Sequence, residues 1–269
     1  MLFTGNYGFF EYKYNIPGYT GQDYGGFAQY LYLAISAVLL VAALILLRKT
    51  PRQRVSRIIG CIGIFLTVFY LIKINWESYW DIRQSGGFNT GILPFDTCSI
   101  IMHACLIAGF GKGKFKKLAE CWLATGGVVG GFGTMLFLNA FSYYPFLSFG
   151  ALYSMLWHLL MVFSGLLILV TRSAEIKWTI PVYGFVFHVL FSILVIPLDF
   201  QFGWDFMMYR ELSSIPLFSD LGSKLLTEGK GALNTLIMLG LYLVSFFIIF
   251  GIAAGAKKLT DLSGRRKAG

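Results

Sequence analysis

ILPFDTCSIIMHACLIAGF, residues 92–110, is long and apolar enough to cross a bilayer, since about 20 helical residues span a hydrocarbon core of about 30 Å. The stretch nevertheless carries Asp96, Cys98, Ser99, His103 and Cys105. A charge at the bilayer centre costs on the order of 2.5–3.5 kcal/mol on insertion scales, so such groups usually face other helices or a cavity. We therefore take this stretch as the candidate site.

The composition of the chain is that of a membrane protein. Of its 269 residues, 57% are hydrophobic and 13% are charged, whereas soluble domains contain about 45–50% apolar and about 25% charged residues. The net charge of +9 comes from basic residues in short loops beside apolar segments, which is a topology signal and does not indicate a nucleic-acid partner. The four cysteines lack CxxC spacing. We predict no metal, no organic cofactor and no nucleic acid.

Seven apolar segments follow one another, and each is predicted to be a transmembrane helix. They are Phe27–Leu47, Ile58–Trp76, Ile92–Phe110, Leu118–Phe137, Phe149–Val170, Thr179–Leu198 and Ala232–Ala256. The connections after the first, third and fifth segments, together with the C-terminus, hold 16 of the 22 Lys and Arg residues. This alternation predicts an outside N-terminus and a cytoplasmic C-terminus. The predicted fold is all-α, a polytopic bundle of about seven helices in a bacterial inner or plasma membrane.

We predict three parts of the chain. Residues 1–26, rich in Tyr, Phe and Gly, form an extracytoplasmic interfacial segment. Residues 27–256 form a single membrane domain, and residues 257–269 form a basic cytoplasmic tail. The long outer connection, residues 199–231, contains IPLFSDLGSKLL, which suits a short interfacial helix or part of a re-entrant element. This connection also suits a cap over a cavity mouth.

A glycine-rich face marks the fourth predicted span, which contains TGGVVGGFG at residues 125–133. Gly126 and Gly130 are four residues apart, as are Gly127 and Gly131, so each pair shares a helix face. Small residues let helices approach closely in lipid. We interpret the Gly126–Gly133 face as a helix-packing surface, and a membrane-protein partner on it remains an alternative.

The polar residues of the third span fall on two helix faces at about 100° per residue. One face carries Asp96, Ser99 and His103, and the neighbouring face carries Cys98, Met102 and Cys105. Counted from their outer ends, Cys98 and His158 of the fifth span lie within roughly 5 Å of the same depth. A cysteine and a histidine at matched depth suit a nucleophile–base pair. The alternative is a small buried cysteine and a histidine that is hydrogen bonded to a neighbouring helix.

The other membrane histidine, His188 in the sixth predicted span, lies near the bilayer centre. It suits a base, a third member of the site or a packing hydrogen bond. The three histidines and Asp96 also permit a proton relay, or a metal site if they converge, since a metal usually takes three or four ligands. Asp205 of the long connection is a further candidate for binding.

The segment LPFDTCSI, residues 93–100, resembles the LP-x-H-x-C-S signature of the YwaF-type bacterial integral membrane proteins, which have about seven spans. The span of His158 resembles that family's later helix with an intramembrane histidine. GWDFMMYRELSSIPLFSDLG, residues 203–222, resembles its segment after the sixth span. The chain departs from the family at two positions: Asp96 stands where the family has His, and Asp205 stands where it has Asn.

The resemblance implies a lipid chemistry. The family is related to a eukaryotic transmembrane acyltransferase that moves fatty acyl chains between phospholipids with a cysteine. It more distantly resembles the androgen-induced intramembrane hydrolases of fatty-acid esters, which use Thr and His. Carried over, Cys98 is the acyl-accepting nucleophile and His158 its base, whereas the adjacent Thr97 does not obviously match the hydrolases' Thr. Asp96 either alters the proton transfer or orients a histidine, as a carboxylate does in catalytic triads.

Our leading hypothesis is therefore a lipid-modifying membrane enzyme that performs acyl transfer or ester hydrolysis through Cys98 and His158. Asp96, Ser99 or His103 would orient the base or hold the oxyanion. Two alternatives remain open: a small-ligand or proton-linked transport or binding protein, whose path intramembrane Asp and His would line, and an accessory subunit of a larger membrane complex.

Overall fold

The computed structural model describes residues 8–12, 26–87, 90–136, 144–171, 176–210, 212 and 219–266. Within these residues the chain is helical and contains no β-strand. The helices are α1 (Phe27–Leu47), α2 (Arg52–Ser85), α3 (Ile100–Phe110), α4 (Gly113–Trp122), α5 (Val128–Leu136), α6 (Phe149–Val170), α7 (Thr179–Phe202), α8 (Ser219–Thr227) and α9 (Gly231–Arg266). Two 3-10 turns, Thr90–Ile92 and Thr97–Ser99, precede α3, and a π-helical turn, Leu123–Gly127, joins α4 to α5.

Six segments of the described chain are long and apolar enough to cross a bilayer, which confirms the predicted all-α, polytopic bundle. They are Phe27–Leu47, Arg52–Arg83, Thr90–Phe110, Phe149–Val170, Thr179–Phe202 and Gly231–Leu259. Their outward faces are rich in large apolar side chains, as contact with lipid requires. The predicted orientation of the termini stays a prediction.

The predicted fourth span, Leu118–Phe137, has a more complex form than a single helix. Ten residues of α4, five of the π-helical turn and nine of α5 follow one another without a break, and together they are long enough for a membrane span of about 20 residues. Residues 119–128 are all buried, so this composite helix lies at the centre of the bundle.

Glycines on two neighbouring helices make room for the π-helical turn. Gly165 of α6 lies against the Leu123 carbonyl group, and Gly184 of α7 lies against the Thr125 side chain. A Cβ at either glycine would collide with these atoms. The wide turn therefore packs between α6 and α7 only because both helices carry no side chain there.

The predicted glycine face, Gly126–Gly133, packs largely inside the chain. Gly126 is buried, and a Cβ at Gly131 would lie only 2.9 Å from the His158 carbonyl oxygen of α6. At Gly133, by contrast, no described atom lies within 4 Å of a Cβ position. The packing interpretation fits this geometry, and a membrane-protein partner on the face stays a prediction.

Three helices extend beyond the predicted spans. The sequence placed the end of the second span at Trp76, but α2 has 34 residues and runs to Ser85. Glu77, the first charged residue after the predicted end, is buried and forms an ion pair with Lys73. The helix therefore continues past this charge. Likewise α7 continues through Pro197 to Phe202, and α9 continues into the predicted tail as far as Arg266.

The long connection and the N-terminal segment are described in part. Helix α8, Ser219–Thr227, lies within this connection, and its interfacial or re-entrant position stays a prediction. Residues 8–12 pack on the ends of α2 and α6, where the Phe149 amide donates to the Phe9 carbonyl oxygen at 2.8 Å and Trp76 Nε1 donates to Phe10 at 2.7 Å. Residues 1–7, 13–25, 211 and 213–218 of the predicted interfacial and capping segments lie outside the described residues.

Candidate functional site

A cavity of about 160 Å³ lies where α2, α6 and the turns before α3 meet. Its wall is formed by Tyr70 and Lys73 of α2, by Ile92, Leu93, Asp96, Cys98 and Ser99 of the turns, by Tyr144, and by Tyr153, Ser154, Trp157 and His158 of α6. The structure thus brings together Asp96, Cys98, Ser99 and His158 of the predicted site residues. The wall does not include His103, His188 or Asp205.

Cys98 lies in the 3-10 turn Thr97–Ser99, directly before the N-terminus of α3. Trp157 Nε1 donates a hydrogen bond to the Cys98 carbonyl oxygen at 3.0 Å, and the Ser99 amide donates to the Asp96 carbonyl oxygen at 2.8 Å. The Ser99 hydroxyl lies beside the Cys98 thiol. Because the turn leads into a helix N-terminus, the helix dipole favours negative charge that develops at this position.

The hydrogen bond of His158 fixes its tautomer. Nδ1 lies 2.7 Å from the Ser154 carbonyl oxygen, one helical turn earlier on α6. A carbonyl oxygen can only accept, so Nδ1 carries the proton, and the neutral ring has its lone pair on Nε2. His158 therefore has the tautomer of a general base, and the Ser154 carbonyl oxygen orients its ring, which is one of the two roles considered for Asp96, Ser99 and His103.

Charged residues line one edge of the cavity. Lys73 Nζ lies 2.5 Å from Glu77 Oε2, and the Tyr144 hydroxyl donates to Glu77 Oε1 at 2.6 Å. The Lys73 ammonium also lies 5.9 Å from the centre of the Tyr153 ring. Asp96 is close enough to Lys73 to interact with its charge. At this edge of the cavity the Lys73 ammonium is therefore attracted by the Glu77 and Asp96 carboxylates.

His103 lies away from the cavity, against α7. Its Nδ1 is 3.3 Å from the Ser99 carbonyl oxygen, and its ring is 5.2 Å from the Phe191 ring. The expectation that His103 shares a face with Asp96 and Ser99 assumed a continuous α-helix. The α-helix begins only at Ile100, so the 100° rule does not extend back through the turn.

His188 lies in the core with both ring nitrogens occupied. Trp122 Nε1 donates to Nδ1 at 3.4 Å, so the proton of the neutral ring is on Nε2 and points to the Tyr209 hydroxyl, 3.0 Å away. Tyr209 in turn lies 2.5 Å from Ser192 Oγ, which donates to the His188 carbonyl oxygen. Burial raises the pKa of Tyr209, so its phenol stays a donor. Of the interpretations left open for His188, this geometry fits the packing hydrogen bond.

Asp205 organises the turn after α7. Its Oδ1 accepts the Arg210 amide at 2.9 Å, and the buried Asp199 accepts the Phe206 amide at 3.2 Å. Asp199 Oδ2 has no hydrogen-bond partner among the described residues. Both carboxylates are close enough to Asp96 to interact with it electrostatically. Asp205 therefore contributes to the field around the cavity without lining it.

Sequence reasoning missed several residues of the cavity wall. Lys73 lies inside the predicted second span, Ile58–Trp76, and a lysine inside a span is itself a sign of function. Trp157 and Ser154 adjoin His158 in sequence, but their roles depend on a neighbouring turn and a helical carbonyl group. No sequence signal marks Tyr153.

The three histidines do not converge. His158 is in the cavity wall, His103 contacts α7, and His188 is in the core beside Trp122. Among the described residues, no group of three or more His, Cys, Asp and Glu side chains could hold a metal ion. This placement does not support the alternative of a histidine metal site.

Residues 19–254 match the TMEM164 family. The chain belongs to this family. Neither a search of curated proteins nor a search of solved structures gave a match. The family and the six apolar segments establish that the TMEM164-family chain is a multi-pass membrane protein, while its YwaF-type and bacterial assignment stays a prediction.

Proposed function

We propose that this TMEM164-family protein is a lipid-modifying membrane enzyme that uses Cys98 as a nucleophile. The observation that supports the proposal is the cavity that Cys98 and His158 line together, with His158 in the tautomer of a base. The sequence resemblance to cysteine acyltransferases points to the same pair. The reaction is acyl transfer from a phospholipid or fatty-acid ester, or hydrolysis of that ester.

The proposed reaction has two steps. In the first, His158 Nε2 takes the thiol proton, Cys98 Sγ bonds to the ester carbonyl carbon, and the bond from that carbon to the alcohol oxygen breaks. The imidazolium then protonates the leaving alcohol, so a thioester and a neutral His158 remain. In the second step, His158 takes a proton from an acceptor hydroxyl or water, whose oxygen bonds to the acyl carbon. The thiolate leaves and regains the proton.

The size of the cavity limits what it holds. At about 160 Å³ it is smaller than the 300–1,000 Å³ typical of small-molecule sites, so it suits the ester region and not a whole lipid. The acyl chains would remain in the bilayer beside the helices. Lys73 at the cavity edge suits the phosphate of a phospholipid, since it is the cation in the wall.

The neighbouring hydroxyl groups divide between two roles. Thr97 Oγ1 lies 2.5 Å from the Tyr242 hydroxyl, and Thr97 is not part of the cavity wall, which favours Cys98 over Thr97 as nucleophile. Ser99, by contrast, is in the wall beside the Cys98 thiol. Its hydroxyl is the group best placed to donate to an oxyanion on the acyl carbon.

A second candidate function is proton-linked binding or transport of a small ligand. Asp96, Asp199 and Asp205 interact electrostatically around a membrane-embedded cavity, and such carboxylates are typical of proton paths. This candidate makes Asp96→Asn more damaging than Cys98→Ala. Ligand binding or flux in proteoliposomes at several pH values would detect it.

The decisive test is intact-protein mass spectrometry of purified protein after incubation with mixed phospholipids. We expect an acyl-sized mass increase that hydroxylamine removes, and we expect it to disappear in Cys98→Ala because the thioester bond requires the sulfur.

Two other cysteines serve as matched controls. Neither Cys61 nor Cys105 lines the cavity. Cys61 is exposed on α2, and Cys105 is buried with its thiol 3.8 Å from Ser164 Oγ. Cys61→Ala and Cys105→Ala should keep the adduct. An adduct that persists in Cys98→Ala, or the absence of the adduct from the wild-type protein, would contradict the cysteine mechanism.

A further inference from the structure

The turn that carries Cys98 is bonded to α9 through two residues that do not line the cavity. Thr97 Oγ1 and the Tyr242 hydroxyl lie 2.5 Å apart, across 145 positions of sequence. We call the Thr97 and Tyr242 hydroxyl groups the hydroxyl pair. On the other side of the turn, Trp157 of α6 donates to the Cys98 carbonyl oxygen at 3.0 Å. The turn is therefore held from two helices, by one bond between side chains and one bond from a side chain to a main-chain carbonyl oxygen.

Tyr242 is itself fixed by the core. Its ring lies 4.1 Å from the His188 ring and 6.4 Å from each of the Phe246 and Tyr209 rings, measured between ring centres. The residue is buried. A phenol enclosed by aromatic rings has few rotamers, so its hydroxyl is held at one position.

The His188 ring is held in the same way. Trp122 and Tyr209 bond to its two nitrogens, and Thr235 Oγ1 donates to the Tyr209 carbonyl oxygen at 3.0 Å. These bonds join α4, α7, α9 and the turn after α7. Both ring nitrogens of His188 have a hydrogen-bond partner, so the imidazole is held in one orientation. The Tyr242 ring therefore packs against a rigid surface.

We propose that Tyr242 is a positioning residue for the nucleophile: through Thr97 it holds the turn that presents Cys98 to His158. This inference rests on the proposed function. Tyr242 does not line the cavity, and the hydrogen bond by which it reaches the turn is the one with Thr97. Removing its hydroxyl leaves the Thr97 side chain without this partner and lets the turn relax away from the arrangement in which Cys98 and His158 face one cavity.

The test compares the rate of thioester formation in Tyr242→Phe, Thr97→Val and Thr97→Ser. Tyr242→Phe keeps the ring on His188, and Thr97→Val keeps the side-chain shape, so each removes one hydroxyl group with little change of packing. We expect each to slow thioester formation about tenfold, because small displacements of reacting groups cost large factors in rate. Thr97→Ser retains the hydroxyl and should remain near the wild-type rate.

The double variant distinguishes positioning from general destabilisation. If the hydroxyl pair acts as one unit, Thr97→Val with Tyr242→Phe should be no slower than either single variant, since the second change removes a bond already lost. Tyr183→Phe, whose ring packs near the Lys117 ammonium at 4.8 Å, is the control for loss of a phenol elsewhere. Equal rates in Tyr242→Phe and wild type, or no rescue by Thr97→Ser, would overturn the inference.

A second readout separates this inference from the proposed function. The rate at which a small alkylating agent modifies Cys98 reports the position of the thiol whether or not the protein transfers acyl groups. If the wild-type protein forms no thioester, the proposed function fails. Unequal alkylation rates of Tyr242→Phe and wild type, restored in Thr97→Ser relative to Thr97→Val, would still support the positioning role, and equal rates would refute it.

Discussion

His158 and His188 both lie buried in the middle of membrane helices, yet their surroundings differ. His158 has one hydrogen bond among the described residues, from Nδ1 to a carbonyl oxygen, and it lines a cavity. His188 bonds through both nitrogens to side chains that are themselves bonded. An intramembrane histidine is thus suited to chemistry when one nitrogen keeps an unshared lone pair toward a cavity, and to packing when both nitrogens are occupied.

The two neighbourhoods also differ in polarity. The wall around His158 contains Lys73 and Asp96, whose charges would interact with a polar lipid headgroup or with a developing oxyanion. Around His188 the neighbours are aromatic rings, among them Tyr242 and Phe246. His188 is bonded to Trp122 and Tyr209 among these rings, so it contributes rigidity to the core.

The largest difference between the two histidines is expected when each is replaced by phenylalanine. His158→Phe should slow thioester formation by about 10²–10⁴-fold, the usual contribution of a general base, with a small change in stability. His188→Phe should lower the free energy of unfolding by about 2–4 kcal/mol, because Trp122 and Tyr209 each lose a buried partner. Mass spectrometry of the adduct and thermal unfolding in detergent measure the two effects.

The two variants are each other's control. They remove the same atoms from the same residue type at similar burial, and only the partners differ. If His188→Phe abolished the adduct while the protein stayed as stable as wild type, His188 would be part of the chemistry, and the contrast between the two rings would be wrong.

A smaller effect is expected from a glycine that contacts the backbone of the base. A Cβ at Gly131 would lie 2.9 Å from the His158 carbonyl oxygen, so Gly131→Ala should displace α6 at His158. We expect the rate of thioester formation to fall about tenfold to a hundredfold and stability to fall by about 1–3 kcal/mol. The same kinetic and unfolding measurements check both numbers.

Gly130→Ala is the matched control on the same helix. Its Cβ would meet the end of the Met161 side chain at 3.1 Å, which can rotate away. Gly130→Ala should therefore change the rate of thioester formation little. Equal rates for both alanine variants would show that the position of α6 at His158 does not limit the reaction.

Much of the fold follows from the sequence, because bilayer length and apolar composition are local properties. Counting along each span at about 1.5 Å per residue predicts a similar depth for Cys98 and His158, and both residues line the cavity, while their roles stay predictions. Rotation about the helix axis was not predictable for His103. The angular count assumed that α3 began before Asp96, whereas the helix begins at Ile100 after a 3-10 turn.

The end of α2 and the role of His188 show a second limit. The charge of Glu77 lowers the mean hydropathy of any window that contains it. Inside the protein, however, Lys73 forms an ion pair with Glu77 and the Tyr144 hydroxyl donates a hydrogen bond to it. In the same way, whether His188 is a base depends on Trp122, which lies 66 positions away in sequence. Partners supplied by other helices determine both outcomes, and a single sequence does not contain them as a local pattern.

The smallest effect is expected from the bond that the Trp157 side chain donates to the Cys98 carbonyl oxygen. Trp157→Phe removes the N–H that donates to the Cys98 carbonyl oxygen, while the aromatic ring still stacks on Tyr153, which lies 5.3 Å away between ring centres. A neutral hydrogen bond contributes about 0.5–1.5 kcal/mol, so the rate of thioester formation should fall about threefold to tenfold. Trp157→Phe combined with Thr97→Val removes the bonds on both sides of the turn, and we expect its loss to exceed either single loss. A double variant no slower than Thr97→Val would mean that α9 alone holds the turn and that the Trp157 bond is incidental.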